Sequence, residues 1–311
     1  MKIVFWGSSD FSMPALKALF EKGWIVAVVT NPDKPYGRGM HEIHKTPLKI
    51  WAEEKKIPCL QPVRLRDQTF LEELANFHAD LFVVVSYGRI LPKEILQMPP
   101  LGAINLHASL LPRYRGASPI QAAILHGDTF TGNTIQYVSE ALDCGDIILQ
   151  SQVPILPNET YPTLSQKLAL DGAILLTEAI TQISEGKAKR IPQNEAHATY
   201  TKIIKREDGK ISFFTQTAEE IFRRFRAYQP WPGIFTTYHQ TKTPFPVHLT
   251  SIEPYNQEGE PGIVLQANKE GFIVACKQGA INLLSLKPAG KKEMAFLGFI
   301  NGYRPQAGKA F

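Results

Sequence analysis

Between residues 105 and 143 the chain carries three side chains suited together to proton transfer and stabilisation of developing negative charge. They are the amide of Asn105, the imidazole of His107 and the carboxylate of Asp143. Asn105-Leu106-His107 closes an apolar run, and side chains alternate along a strand, so Asn105 and His107 point to one side and Leu106 to the other. Asp143-Cys144-Gly145-Asp146 follows a second strand-like run, Thr134 to Val138, and so falls at or just beyond a sheet edge. Ligands of open parallel sheets bind in the crevice at the carboxyl ends of strands, where the three groups would converge. An architectural reading stands beside this one: Asn105 and His107 would tie down the turn Ala108-Ser109-Leu110-Leu111-Pro112, and Asp143 and Asp146 would do ordinary turn work beside glycine. Spacing leaves both open. One His and two Asp without a facial spacing make a poor zinc or iron site, so no metal is expected.

The elements that must position these groups alternate in type. Lys2 to Trp6, Trp24 to Thr30, Leu81 to Val85 and Ala103 to Leu106 are short apolar or β-branched runs, and Met13 to Glu21 and Leu71 to Phe77 have helical spacing. The pattern predicts an α/β fold with a doubly wound, mostly parallel sheet. Gly7-Ser8-Ser9-Asp10-Phe11-Ser12 turns the first strand into a helix that Ser12 would cap. It lacks the Gly-x-Gly-x-x-Gly spacing of a dinucleotide site. A long helix is expected from Tyr161 or Pro162 to Glu185, followed by a surface linker rich in Lys, Arg and Pro. Beyond it come one helix, Ala218 to Ala227, and short strands at Ile234 to Tyr238, Val247 to Ile252, Gly262 to Gln266, Gly271 to Ala275 and Ala280 to Leu286, the pattern of a small OB-like β-barrel. The expected division is 1–189 for the first domain, 190–207 for the linker and 208–311 for the barrel.

A chain of 311 residues fits two domains, and 44% hydrophobic with 20% charged residues suits packed cores rather than a disordered or fibrous protein. No apolar run reaches the ~18 residues of a membrane span, and the first strand begins at once, so a cytoplasmic protein is expected. Cys59, Cys144 and Cys276 are too far apart for a Cys-x-x-Cys site, which agrees with a reducing compartment. The net charge of +5 resides in one segment: residues 187–226 hold ten Lys or Arg against five Asp or Glu. That strip is either a solvated linker and helix face or a contact for a polyanion, and charge alone does not choose.

The run Asn105-Leu-His107-Ala-Ser109-Leu-Leu-Pro112-Arg-Tyr-Arg115-Gly-Ala-Ser-Pro119, followed by Asp143-Cys-Gly-Asp146, resembles the signature of the folate-dependent formyltransferase superfamily. The resemblance implies that Asn105, His107 and Asp143 are the catalytic trio. It implies that Ser109, Leu110, Leu111 and Pro112, with Ser86, Tyr87, Gly88, Ile90 and Leu91 of the loop Ser86 to Pro92, hold a folate. The cosubstrate it implies is 10-formyltetrahydrofolate. Formyl transfer needs an oxyanion donor, a proton for the departing folate nitrogen and an acceptor for the amine's proton, which suit Asn105, His107 and Asp143 in turn. Cys144 stands where the signature carries Thr and reads as a tolerated small residue.

The superfamily acts on several amines, and three regions resemble the branch that formylates methionine carried by initiator tRNA. The first is Asn31-Pro-Asp-Lys-Pro-Tyr-Gly37-Arg38-Gly39, with Lys45 beyond it. The second is Ala198-Thr-Tyr200-x-Lys202-Ile-x-Lys205-Arg206-Glu-Asp-Gly-Lys210, inside the basic strip. The third joins Ile221-Phe-Arg-Arg-Phe-Arg226-Ala-Tyr-Gln-Pro230-Trp-Pro-Gly233 to Lys291 and Arg304 near the end. This implies initiator methionyl-tRNA as partner, with Arg38, Lys45, Lys202, Lys205, Arg206, Lys210, Lys291 and Arg304 as contacts, in an enzyme acting as a monomer. Phe213, Trp231 and Tyr238 would stack on bases or, more in keeping with their type, pack a core. An amino-sugar nucleotide or glycinamide ribonucleotide is the alternative acceptor.

Overall fold

The computed structural model describes residues 1–36 and 42–311. The chain forms two compact units, one of Met1–Ile120, Thr129–Ile155 and Thr163–Lys202, the other of Gln121–Asp128, Leu156–Pro162 and Ile203–Phe311.

The first unit is built on β1 (Ile3–Gly7), β2 (Ile25–Val29), a small hairpin of β3 (Lys34–Tyr36) and β4 (Glu42–His44), β5 (Cys59–Leu60), β6 (Leu81–Val85), β7 (Ala103–His107), β8 (Arg115–Gly116), β9 (Phe130–Tyr137), β10 (Ile147–Pro154) and β11 (Tyr200–Thr201). Its helices are α1 (Met13–Glu21), α2 (Pro47–Lys55), α3 (Gln68–Ala75), α4 (Lys93–Leu96), α5 (Pro119–His126) and α6 (Tyr161–Ser184), the last two of which lie partly in the second unit. The main sheet has seven strands in the order β10-β9-β7-β6-β1-β2-β5. The five strands from β7 to β5 are parallel. β9 and β10 form an antiparallel hairpin on the β7 edge, because the short connection 138–146 cannot cross over the sheet.

The sheet is covered on both faces, which is why β1 is buried at every position. Ile3 and Phe5 enter one layer with Leu16, Leu19, Leu176 and Ile180; Val4 and Trp6 enter the other with Phe70, Leu74, Phe82 and Tyr87. The apolar alternation thus pins the register in which β7 presents Asn105.

Helix starts follow local chemistry. The hydroxyl of Thr46 caps α2, and the carboxylate of Asp67 accepts from Phe70 N, so α3 begins at Gln68 rather than at the expected Leu71. Ser12 does not cap α1. A single 3₁₀ turn, Asp10–Ser12, precedes that helix, and the Ser12 hydroxyl donates back to the Ser9 carbonyl at 2.6 Å.

The second unit holds α7 (Ala218–Ala227), α8 (Phe296–Tyr303) and an antiparallel sheet of β12 (Ile234–Tyr238), β13 (Phe245–Tyr255), β14 (Val264–Asn268), β15 (Gly271–Ala275), β16 (Ala280–Pro288) and β17 (Met294–Ala295). The path runs β12-β13-β16-β15-β14, with β17 on β16. Its open edges meet the last residues: Phe311 accepts from His239 N at 2.8 Å and donates to Gly262 O at 2.9 Å, so the segment lies between the ends of β12 and β14. Phe311 joins Phe213, Tyr238 and Phe272 in the core, so Phe213 and Tyr238 are packing residues. Trp231 departs from that expectation. It sits in the turn between α7 and β12, away from any buried face, and is 57% exposed.

Candidate active site

Asn105 and His107 occupy the last turn-facing positions of β7, and the register pairs Asn105 with Gln136 and His107 with Thr134 of β9. The turn Asp143 to Asp146, which joins β9 to β10, then folds back over the same edge. One close backbone approach and one left-handed residue shape it. A Cβ on Gly145 would lie 1.7 Å from the Tyr137 carbonyl oxygen, so only glycine fits. Asp143 itself takes φ +51°, a left-handed conformation that aspartate tolerates better than most residues.

The three side chains meet. Asn105 Nδ2 donates to Asp143 Oδ1 at 3.4 Å, and His107 Nδ1 lies 3.6 Å from the same oxygen. The other carboxylate oxygen accepts from Gly116 N at 2.8 Å. His107 Nε2 lies 2.9 Å from the Tyr114 carbonyl, which can only accept, so Nε2 carries a proton and Nδ1 is the nitrogen turned to Asp143. The His107 and Asp143 side chains are 7% and 10% exposed, where a charge is weakly screened and worth more than in water. Among the described residues no group of three or more His, Cys, Asp or Glu is arranged to hold a metal ion.

The turn after β7 is braced from below. Thr134 Oγ1 donates to the Ser109 carbonyl at 2.6 Å and accepts from Leu111 N at 3.1 Å, and Gln150 Nε2 donates to the Leu111 carbonyl at 2.9 Å. Ser109 is fully buried with its hydroxyl donated to the Arg113 carbonyl at 2.6 Å, and Leu111 is buried, so both shape the turn through the main chain. Leu110 and Pro112 are half-buried.

The loop 86–92 lies at the carboxyl end of β6. Tyr87 and Leu91 turn inward, with the Tyr87 ring edge-on to Trp6 at 5.3 Å. The Ser86 hydroxyl accepts from Ser9 at 2.8 Å, Asn31 Nδ2 donates to the Tyr87 carbonyl at 2.7 Å, and Arg89 donates to the carbonyls of Pro62 and Val63. Gly88 is left-handed and open on its outer side, and Ile90 is 73% exposed.

Arg38 lies outside the described residues. Lys45 pairs with Glu53 at 2.8 Å. Lys202, Lys205, Arg206, Lys210, Lys291 and Arg304 are exposed, Lys202 on the first unit and the others on the second. On the second unit the strand register aligns Phe235, His248 and Lys287 in one row across β12, β13 and β16, with the Phe235 and His248 rings 5.3 Å apart. Burial, and then the charges of Arg206 and Lys287, hold the His248 imidazole below its ordinary value.

Arg115, Gln136 and Gln193 were given no role from the sequence. Gln136 is almost fully buried on β9, beside the equally buried polar residues Thr131, Asn133 and Thr134, and the sequence around it carries no local signal of a role. Arg115 has no exposure and donates to Gln193 Oε1 and to both oxygens of Glu195, while β11 pairs in parallel with β8. The expected linker is therefore attached to the first unit as far as Lys202, because a buried guanidinium needs acceptors that these residues supply. Glu195, in turn, holds Arg115 firmly charged and is itself held below the usual carboxylate range by it.

The formyl transferase family matches residues 1–180, and the formyl transferase C-terminal domain matches residues 203–304. Methionyl-tRNA formyltransferase of Geobacillus sp. (strain WCH70) is 44% identical over 304 residues, covering 97% of this chain and 94% of its own length. The enzyme of the same name from Myxococcus xanthus (strain DK1622) is 42% identical over 303 residues, covering 97% and 95%. Among solved structures, the N-formyltransferase from Helicobacter canadensis in complex with folinic acid and dTDP-3-aminofucose has a TM-score of 0.67 at 19% identity, over 91% of this chain and 98% of that one. HypX from Aquifex aeolicus in complex with tetrahydrofolic acid has a TM-score of 0.67 at 17% identity, over 97% of this chain and 47% of that one.

Proposed function

The chain belongs to the methionyl-tRNA formyltransferase family, and from that premise we propose that it transfers the formyl group of 10-formyltetrahydrofolate to the amino group of methionine on initiator tRNA. The observation that carries the reading is the meeting of Asn105, His107 and Asp143 at one strand edge, in a chain similar to these enzymes through both of its units.

The residues divide the work. The methionine amine attacks the formyl carbon, the carbonyl electron pair moves onto oxygen, and Asn105 Nδ2 donates to that oxyanion. Asp143 takes the amine's proton through water and passes it to His107 Nδ1, the ring nitrogen not committed to Tyr114, as the two groups close from 3.6 Å. As the oxyanion pair returns to carbon and the bond from carbon to the folate nitrogen breaks, that nitrogen takes the proton from Nδ1, which returns the site to its starting state. The open main chain at Gly88 and the outward Ile90 offer a flat apolar edge for the folate, on a loop whose buried Tyr87 and Leu91 prevent it from collapsing. Lys205, Arg206, Lys210, Lys291 and Arg304 would contact tRNA phosphates from the second unit, Lys202 and Lys45 from the first, and Arg38 the acceptor end.

The test offers labelled 10-formyltetrahydrofolate with charged initiator tRNA, charged elongator tRNA, glycinamide ribonucleotide and an amino-sugar nucleotide in parallel. Label on initiator methionyl-tRNA alone is expected, with KM for tRNA rising steeply with salt because phosphate contacts release counterions. Label on a small acceptor instead would leave the trio in place and overturn the acceptor.

A further inference from the structure

The carboxylate at the centre of the site is not held by the trio alone. Asp143 Oδ1 accepts from Gln136 Nε2 at 3.1 Å; Gln136 Oε1 accepts from Gln193 Nε2 at 3.1 Å; Gln193 Oε1 accepts from Arg115 Nε at 3.0 Å and Nη2 at 2.8 Å. Chemistry dictates the direction of this chain. A guanidinium only donates, so the Gln193 atom facing it must be the oxygen. The NH₂ of Gln193 then faces Gln136, whose oxygen must turn toward it, and the NH₂ of Gln136 is left for the carboxylate. A second constraint gives the same answer: the carbonyls of Asp143 and Gly145 also lie 2.8 Å from Gln193 Nε2 and can only accept, so its two hydrogens are shared among three acceptors, one of them in a bifurcated bond.

We infer that Gln136 and Gln193 are positioning residues for formyl transfer, forming a one-way hydrogen-bond relay that starts at buried Arg115 and fixes the Asp143 carboxylate against His107 and Asn105. The inference rests on the trio being the site of that reaction. With Oδ2 held by Gly116 N and Oδ1 by Gln136, the carboxylate plane is pinned at both ends. With Gln136 removed, Oδ1 keeps, among the described residues, only the 3.4 Å contact from Asn105 and the 3.6 Å approach of His107, and the plane is free to turn. The same relay explains why a segment beyond α6 returns to β8. Gln193 reaches the Asp143 turn on a backbone held by the Ile147–Ile191 bridge on one side and by Glu195 and β11 beside Arg115 on the other.

Gln136→Glu tests the direction of the relay. It preserves shape and the oxygen that accepts from Gln193, but it places a second carboxylate beside Asp143 until it is protonated. The charged and titratable groups around it are His107 on β7, Arg115 on β8, Asp143, Cys144 and Asp146 in the turn, Arg190 beside Asp146, and Glu195 and Tyr200 on the returning segment.

In the full-length chain, kcat for formyl transfer is expected to fall roughly a hundredfold near pH 8 with KM for both substrates within about twofold, since misplacing a reacting group costs turnover rather than binding. The ratio to the parent should recover as pH is lowered to about 6, where the introduced carboxyl begins to protonate and donate again. Gln136→Met should lower kcat by a similar factor with no such pH dependence, and its crystal structure should show the Asp143 carboxylate rotated. Gln193→Met should do the same at a distance from the substrate. A native Asp143 orientation in both methionine variants, or an unchanged kcat in either, would overturn the inference. The orientation is read without any acceptor, so a parent chain that fails to formylate charged tRNA would remove the acceptor reading and still leave the relay decided.

Discussion

Asn105→Ala separates chemistry from folding more sharply than any other single change. The Asn105 side chain is half-buried, and among the described residues its one hydrogen bond is the long 3.4 Å contact to Asp143. Losing such a bond costs the fold about 1 kcal/mol or less. Its loss from an oxyanion site costs about 3 kcal/mol of transition-state stabilisation, or roughly two orders of magnitude in kcat. The expected variant therefore melts close to the parent, binds tRNA unchanged and turns over about a hundredfold more slowly. Single-turnover transfer at saturating folate reads the chemical step directly, and a urea titration reads stability. A rate within about threefold of the parent would refute the oxyanion role. An equal loss of stability and rate would show Asn105 to be a brace for the turn, the architectural reading that its spacing left open.

Gly145→Ala should destabilise by roughly 3 kcal/mol in urea, because the new methyl meets the Tyr137 carbonyl oxygen at 1.7 Å and the backbone must shift to admit it. Burial raises the Cys59 thiol to about 11 and the Cys276 thiol to about 12, so iodoacetamide near pH 8 is expected to label half-exposed Cys144 in the native chain, and all three cysteines only after unfolding, as read by mass spectrometry. His248 is depressed below its ordinary 6.5, so the unfolded chain takes up that proton more readily. Its contribution to stability is complete above pH 6.5 and is lost as pH falls toward the depressed folded value. Lys287→Met should move the His248 titration upward by NMR; no movement would show that the neighbouring charges do not reach the ring.

Much of the candidate site was legible because it is local. Asn105 and His107 share a face through strand alternation, and the motif around them with the later Asp143 sufficed to name a superfamily. The limits of legibility were equally physical. Ser12 read as a cap, yet a 3₁₀ turn sent its hydroxyl back to Ser9. Ser109 and Tyr87 sit in a motif expected to hold folate, yet their side chains are turned into the protein, a direction that depends on which face of the sheet the neighbouring helix covers.

By itself the sequence determined the element types, the parallel sheet and its β-rich second unit, and the three residues able to carry acid, base and oxyanion chemistry, because periodicity and turn residues act over a few positions. Only the tertiary structure decided which nitrogen of His107 is available, that β9 returns antiparallel to bring Gln136 beside Asn105, and that Gln193 comes back to lock the turn at Asp143. Those contacts join residues tens of positions apart, and a buried guanidinium selects them by requiring acceptors wherever the folded chain can supply them.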